Sequence, residues 1–235
     1  MPFGLENAGA TYQWMMMRMV RDKIGHTVEV YIDDMVVKSK QEAWHVEDLR
    51  GVFEMLWKHR LRLNAEKYAF GVGAGKFLGY LIANRGIEVN LDQIEAMKHL
   101  RSPSNSKEVQ VLTEMLAALN WFISKFSNRC RPFYQLLKKW KGFQWDDECE
   151  KAFQNLKEYL VRAPMLSAPE PGEELFMYLS ISEHAVSAVL LRDRGVQQPV
   201  YYISKTLVDV ETRYLPLEKL VLALVHATRK LPQYF

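Results

Sequence analysis

The chain has 235 residues, 49% of them hydrophobic and 25% charged, with a formal net charge of +3. That composition excludes wholesale disorder, allows one large or two modest domains, and leans only slightly towards anionic partners. Cys130 and Cys149 stand too far from each other and from any histidine cluster to suggest a zinc site or disulfide framework, so a reducing, intracellular setting is the default expectation. No apolar run approaches the ~18 residues of a spanning helix. The start, "MPFGLENAGA", lacks the basic and apolar regions of a signal peptide.

The first element expected is a helix over "ENAGATYQWMMMRMVRDKIG". Ala8, Tyr12, Met15, Met16 and Met19 recur at helical spacing, and Gly25 is a plausible stop. In "VEVYIDDMVVK", Val28, Val30 and Ile32 alternate as in a strand, and "MVVKS" reads as its partner. Asp33 and Asp34 suit the turn between them, because aspartate tolerates unusual backbone angles and bonds locally to the main chain. A long amphipathic helix follows, with Val46, Leu49, Val52, Phe53 and Leu56 as its apolar face and the basic "KHRLR" at its end.

"LRLNAEKYAFGVGAGKFLGYLI" reads as strand, glycine turn, strand. It is no phosphate loop. Phe70 stands where the Walker pattern needs its first glycine, and Phe77 follows Lys76 where Ser or Thr is required. Three helices come next. The first carries Leu91, Ile94 and Met97 on one face. The second opens on a capping pair, Asn105 and Glu108, and carries Val109, Leu112, Leu116, Leu119 and Ile123. The third covers "RPFYQLLKKW". In "LLKKWKGFQW", Lys138, Lys139 and Lys141 alternate with Trp140 and Trp145. This suits phosphate contact and base stacking, but also a solvated helix end with one packed tryptophan, which the small net charge favours.

"KGFQW" marks a boundary. A helix with acids in its first turn and a Phe153, Leu156, Leu160 stripe follows. Then come a Pro/Gly-rich break, three strands over "ELFMYLSI", "AVSAVLLR" and "QPVYYISK", and a helix built on Leu217, Leu220, Val221, Leu224 and Val225.

Adjacent carboxylates at a hairpin tip suit a hard divalent cation, which takes oxygen ligands and keeps water and phosphate in its shell. Alone, Asp33-Asp34 also reads as an ordinary solvated turn. The neighbouring motifs decide. "MPFGLENAGATYQ", "YIDD", "LRLNAEKYAFG", "GKFLGYLI" and "VQVLTEMLAALNWFISKFS" fall in an order that resembles the reverse transcriptases of long-terminal-repeat retrotransposons, specifically the Ty3/Gypsy superfamily of plants. Phe143 to Phe235 resembles the RNase H-like domain that follows them.

The resemblance implies an α+β fold in three parts. These are the C-terminal part of a palm (1–88), thumb or connection helices (89–142), and the N-terminal part of an RNase H-like domain (143–235). It implies a fragment of an RNA-directed DNA polymerase that works on RNA/DNA template-primer and dNTP beside the rest of a Pol polyprotein, in a cytoplasmic particle or nucleus, with no membrane role. Asp33 would be a main ligand for Mg²⁺ or Mn²⁺ and Asp34 an accessory one. Tyr31 and Ile32 would flank the primer end, and Phe3, Gly4 and Asn7 would line the nucleotide. Lys67 would protonate the leaving pyrophosphate, and Phe77, Leu78, Gly79 and Tyr80 would grip the primer.

Two departures qualify this expectation. The family's third polymerase carboxylate and its fingers precede the Pro-Phe-Gly motif, where this sequence starts. In the RNase H-like part, Ser180 and Leu220 stand where active members carry a metal-binding Asp and Glu. Glu218 is two positions from Leu220, ~200° around a helix axis. The expectation is therefore a chain inactive alone. The alternative is a non-catalytic nucleic-acid-binding or interaction protein derived from a retroelement.

Overall fold

The structure is a computed structural model and describes residues 7–32, 34–39, 41–64, 66, 68–77, 79–83, 85–138, 143–162 and 164–235. The chain divides into two compact units, Met1–Ile82 and Ala83–Phe235. Among the described residues, no helix is long and apolar enough to cross a membrane.

In the first unit, α1 (Ala8–Met19) precedes an antiparallel hairpin of β1 (Val28–Tyr31) and β2 (Asp34–Val37). The 17-residue α2 (Glu42–Lys58) follows, then β3 (Ala74–Phe77) and β4 (Tyr80–Ala83). The core joins Val20, Val28, Val52 and Leu56, with Val30, Met35, Val37 and Leu63 packed around it. Strand alternation explains the set: Val28 pairs with Val37 and Val30 with Met35, so these four share one face of the hairpin.

Two expectations for α2 fail. Val46 and Phe53 are exposed rather than core, because the stripe facing the hairpin runs through Val52 and Leu56. Phe53 lies 100° around the axis from Val52 and meets Phe70 instead, with ring centroids 6.1 Å apart. The strand expected from Leu61 also fails; the described residues between 61 and 73 form no strand. There the Asn64 side chain accepts from the Glu66 N–H at 3.2 Å, a local bond that competes with a ladder. The glycine run is not the hairpin turn either. β3 starts inside it, and the turn falls at Gly79, whose φ of +79° suits glycine.

The second unit opens with β5 (Gly86–Val89), which pairs antiparallel with the short β6 (Leu166–Ser167), an association that nothing in the sequence pattern announced. Glycine is obligatory at 86: φ is +147°, and a Cβ would lie 1.9 Å from the Leu166 carbonyl oxygen.

Four helices and a short helical turn then follow: α3 (Leu91–His99), α4 (Ser106–Ala118), the four-residue α5 (Phe126–Arg129), α6 (Arg131–Lys138) and α7 (Asp147–Val161). The capping pair of α4 forms as its sequence requires. Asn105 accepts from the Glu108 N–H at 3.0 Å, and the Glu108 carboxylate accepts from the Ser104 N–H at 2.7 Å. Val109, Leu112, Leu116, Leu119 and Ile123 are all buried, as are Phe153, Leu156 and Leu160 of α7. Leu91, expected to pack beside Met97, is exposed in the first turn of α3. Trp145 stacks on Phe133 and donates its indole N–H to Glu150 at 2.7 Å. It is a packed tryptophan, so its ring is unavailable for base stacking; Lys138 is exposed at the end of α6, and residues 139–142, with Lys139, Trp140 and Lys141, lie outside the described residues.

The three expected strands form an antiparallel sheet of β7 (Leu175–Ile181), β8 (Ala185–Asp193) and β9 (Gln197–Thr206). The last helix, α8 (Pro216–Lys230), inverts its expected face. It buries Lys219, Ala223 and Ala227. Leu217, Val221, Leu224 and Val225 are exposed, and Leu220 is half-buried. Small side chains let the helix approach the sheet closely, with Ala227 among Ala188, Leu190, Val200 and Ile203. The hydrophobic stripe is the outer face.

Both cysteine thiols are held protonated by burial, which pushes Cys130 up to about 12 and Cys149 up to about 11. Neither should react with an alkylating reagent at pH 8 until the chain is unfolded in denaturant; labelling of the native chain at Cys130, read by mass spectrometry, would contradict this packing. Phe153→Ala should cost about 3–5 kcal/mol in urea unfolding, whereas Leu217→Ala should stay within about 0.5 kcal/mol, since only the first opens a cavity.

Candidate functional site

The hairpin tip is tighter than the sequence suggested. Tyr31 pairs directly with Asp34, so the loop is the two residues Ile32 and Asp33. The expectation that both acids lie in the turn is corrected: Asp34 is the first residue of β2. Its side chain falls on the face opposite Val30 and Met35, with Tyr31 across from it, and both are exposed. Glu29 lies on that same face and pairs with Lys38 at 2.6 Å. Asp33 itself lies outside the described residues.

A two-residue hairpin needs positive φ in its loop, usually supplied by glycine or asparagine. Here Ile32 takes it, at φ +49°. For a β-branched residue this conformation is strained by about 1–3 kcal/mol. Gln13, at the middle of α1, holds it in place. Its side-chain carbonyl accepts from the Ile32 N–H, and its amide N–H donates to the Val30 carbonyl at 3.1 Å. These two backbone groups lie on the outer edge of β1, so the Gln13 amide does the work of a missing strand neighbour. α1 thereby fixes the orientation of the tip.

The sequence motifs do not single out Gln13. The signal was present: Gln13, Met16 and Val20 are spaced i, i+3, i+7, so a polar residue sits on a stripe that otherwise buries Met16 and Val20. A polar group on such a face is kept by a partner.

The other expected residues are distributed as follows. Asn7 is exposed at the start of α1, where its backbone carbonyl accepts from Thr11. Phe77 ends β3, Gly79 forms the turn and Tyr80 begins β4, with burial pushing the Tyr80 hydroxyl above its usual range. β3 runs close to β2, so this hairpin and the Asp34 strand are neighbours. Phe3, Gly4, Lys67 and Leu78 lie outside the described residues.

In the second unit, Ser180 sits on β7 opposite Ser187. Around it are hydroxyls, not carboxylates: Ser187 and Ser204 bond at 2.9 Å, and Ser182 donates to Asn128 at 2.9 Å. Glu218, the nearest acid to Leu220 on α8, is consumed as a cap and accepts from the Leu215 N–H at 2.8 Å. Among the described residues, no three His, Cys, Asp or Glu side chains gather as a metal site would require.

Residues 1–82 match the family model for reverse transcriptase (RNA-dependent DNA polymerase), and residues 145–235 match the model for the RNase H-like domain found in reverse transcriptase. The chain carries both domains, in that order. It is a reverse transcriptase segment joined to its RNase H-like domain. All of it aligns, at 30% identity, with the Pol polyproteins of the Drosophila melanogaster transposons 297 and opus, and at 28% with the Tf2-3 polyprotein of Schizosaccharomyces pombe. The chain spans about a fifth of the length of these relatives: 22%, 24% and 18%.

The fold matches a foamy viral protease-reverse transcriptase in complex with double-stranded DNA, with TM-score 0.82 and 23% identity, over 100% of this chain and 49% of that one. A second structure of that protein, in complex with RNA/DNA hybrid, matches with TM-score 0.82 over 98% of this chain and 31% of that one. The β1–β2 tip that Gln13 secures lies within residues 1–82, the stretch that matches the reverse transcriptase model.

Gln13→Ala removes both bonds and leaves the left-handed Ile32 unsupported. It should lower stability by about 1–2 kcal/mol and raise the amide hydrogen-exchange rate of Ile32 more than those of Val52 or Leu56. Unchanged exchange at Ile32 would mean that Gln13 does not hold the tip.

Proposed function

We propose that the chain is the palm-to-RNase H-like stretch of a Ty3/Gypsy-type Pol polyprotein, of the plant branch, and that it contributes its Tyr31–Asp34 hairpin to RNA-templated DNA synthesis. The division into palm (1–88), thumb (89–142) and RNase H-like domain (143–235) belongs to the same reading. The observation that carries it is the β1–β2 hairpin: Asp34 opposite Tyr31 across a two-residue loop, anchored by Gln13, inside the segment that matches the reverse transcriptase model. The degenerate positions Ser180 and Leu220 support the plant-branch assignment, since that branch often has such a domain ahead of an active RNase H.

Within this reading Asp33 and Asp34 would hold Mg²⁺ or Mn²⁺ only as part of the longer polyprotein, Tyr31 and Ile32 flank the primer end, and Phe3, Gly4 and Asn7 line the dNTP. Lys67 serves the leaving pyrophosphate. Phe77, Leu78, Gly79 and Tyr80 position the primer of an RNA/DNA template-primer, in a cytoplasmic particle or the nucleus.

The described donors do not by themselves fit a two-metal centre. Such a centre needs carboxylates bridging ions ~3.5–4 Å apart, and at the hairpin tip the described residues supply Asp34 alone, with Glu29 on the same face committed to Lys38. What the chain's own residues do is position: Gln13 fixes the tip, and the opposite face of the hairpin is sealed in the core, so the Tyr31–Asp34 face is the one open to a primer.

A second reading, a non-catalytic nucleic-acid-binding module, applies to the RNase H-like domain. There hydroxyls and a capping Glu218 replace a carboxylate cluster.

The 235-residue chain should give no templated primer extension in Mg²⁺ or Mn²⁺ and no cleavage of the RNA strand of a hybrid duplex. Extension abolished by Asp33→Asn would show that this chain is a self-sufficient polymerase. Hybrid cleavage would show that the domain keeps a catalytic site despite Ser180 and Leu220.

A further inference from the structure

The first unit has a second feature that the polymerase hairpin does not use. Trp14, Met15, Arg18, Met19, His59 and Leu61 line an open groove of about 470 Å³, within the usual size range of ligand clefts, ~300–1,000 Å³. α1 supplies one wall and the end of α2 the other. Trp14 is 63% exposed, and the Arg18 guanidinium lies over one face of its ring, 5.4 Å from the centroid.

The two segments that supply these walls carry charge of one sign. Residues 8–21 contain Arg18 and Arg21, residues 55–64 contain Lys58, Arg60 and Arg62 beside His59, and neither segment contains an acid. The nearest acids along the chain, Asp22 and Glu54, lie just outside both. All five cations are exposed.

Backbone conformation adds an independent observation. α2 ends in a Schellman turn: the Leu61 N–H donates to the Leu56 carbonyl and the Arg60 N–H to the Trp57 carbonyl, both at 2.9 Å. The residue at the left-handed position of such a turn is ordinarily glycine. Here it is Arg60, at φ +57°. A strained cation thus stands between His59 and Leu61, two residues of the groove wall, where glycine would be easier to accommodate.

We propose that this groove is a binding site for single-stranded nucleic acid, separate from the Tyr31–Asp34 tip. One base stacks on Trp14, and the flanking phosphates are taken by Arg18 and by the Lys58–Arg62 run. An exposed aromatic face amid cations is the arrangement that binds single strands without sequence preference, because every base has a π-face and every nucleotide a phosphate. The proposal goes beyond the polymerase reading and does not rest on it; a chain that fails to extend primers can still hold a strand here.

The test is an anisotropy titration of the full chain with labelled single-stranded oligothymidine over a series of salt concentrations, with a thermal melt of each variant. Trp14→Ala should weaken binding about tenfold. Arg60→Gly should weaken binding and reduce the slope of log affinity against log salt by about 0.7, the share of one phosphate contact on a single strand. The same variant should leave Tm equal or higher, because glycine relieves the left-handed backbone; a purely structural role for Arg60 would give no loss of binding. Wild-type affinity and slope in both variants would overturn the proposal. So would variants that keep oligothymidine binding and lose binding to phosphatidylserine vesicles, which would assign the groove to a lipid surface.

Discussion

The side-chain amide of Gln13 is the contact on which the first unit's hairpin tip depends. A two-residue loop forces positive φ on a β-branched residue, Ile32, and the strain must be offset where it arises. Gln13 does this by satisfying the Val30 carbonyl and Ile32 N–H on the outer edge of β1. The same two bonds tie the tip to α1, whose other inward residues, Met16 and Val20, are buried. One polar residue on an apolar helix face thus joins the core to the functional tip. With the tip held, alternation along a four-residue strand sends Val30 and Met35 into the core, and Tyr31 and Asp34 to solvent.

The second unit is organised by small residues and polar locks. Ala223 and Ala227 let α8 lie close on the β7–β8–β9 sheet. The hydroxyl of Tyr159 on α7 donates to the Phe122 carbonyl at 2.9 Å and accepts from the Ser124 N–H at 3.1 Å, fixing the turn after α4. Ser127, in α5, donates its N–H to Ser204 of β9 at 3.0 Å, so the helices are stitched to the sheet. Around Ser180 the Ser187 and Ser204 hydroxyls bond to each other and the Ser182 hydroxyl bonds to Asn128. A hydroxyl network can be satisfied internally without a cation, whereas clustered carboxylates cannot.

The groove beside α1 and the anchored tip use different faces of α1. Gln13 turns inward to the hairpin, and its neighbour Trp14 turns outward beside Arg18. Adjacent residues on a helix are 100° apart, so a single turn of α1 serves both the core and the solvent side.

By itself the sequence determined the reverse transcriptase and RNase H-like segments, their order, and the elements whose signals are local. The capping pair Asn105–Glu108, the α4 and α7 stripes and the three strands of the last sheet are readable because periodicity and caps act within a few residues. The tertiary structure decided the rest. That Asp34 belongs to a strand follows from register with Tyr31. That Gln13 serves the tip depends on a partner 17 to 19 residues away. Which stripe of α8 is buried depends on how closely the sheet lets a helix approach, and alanines won over leucines. Gly86 is obligatory only because Leu166, far along the chain, closes on it. Local pattern fixes what an element is; which of its faces meets which neighbour is a property of packing, and the functional positions lie on that second level.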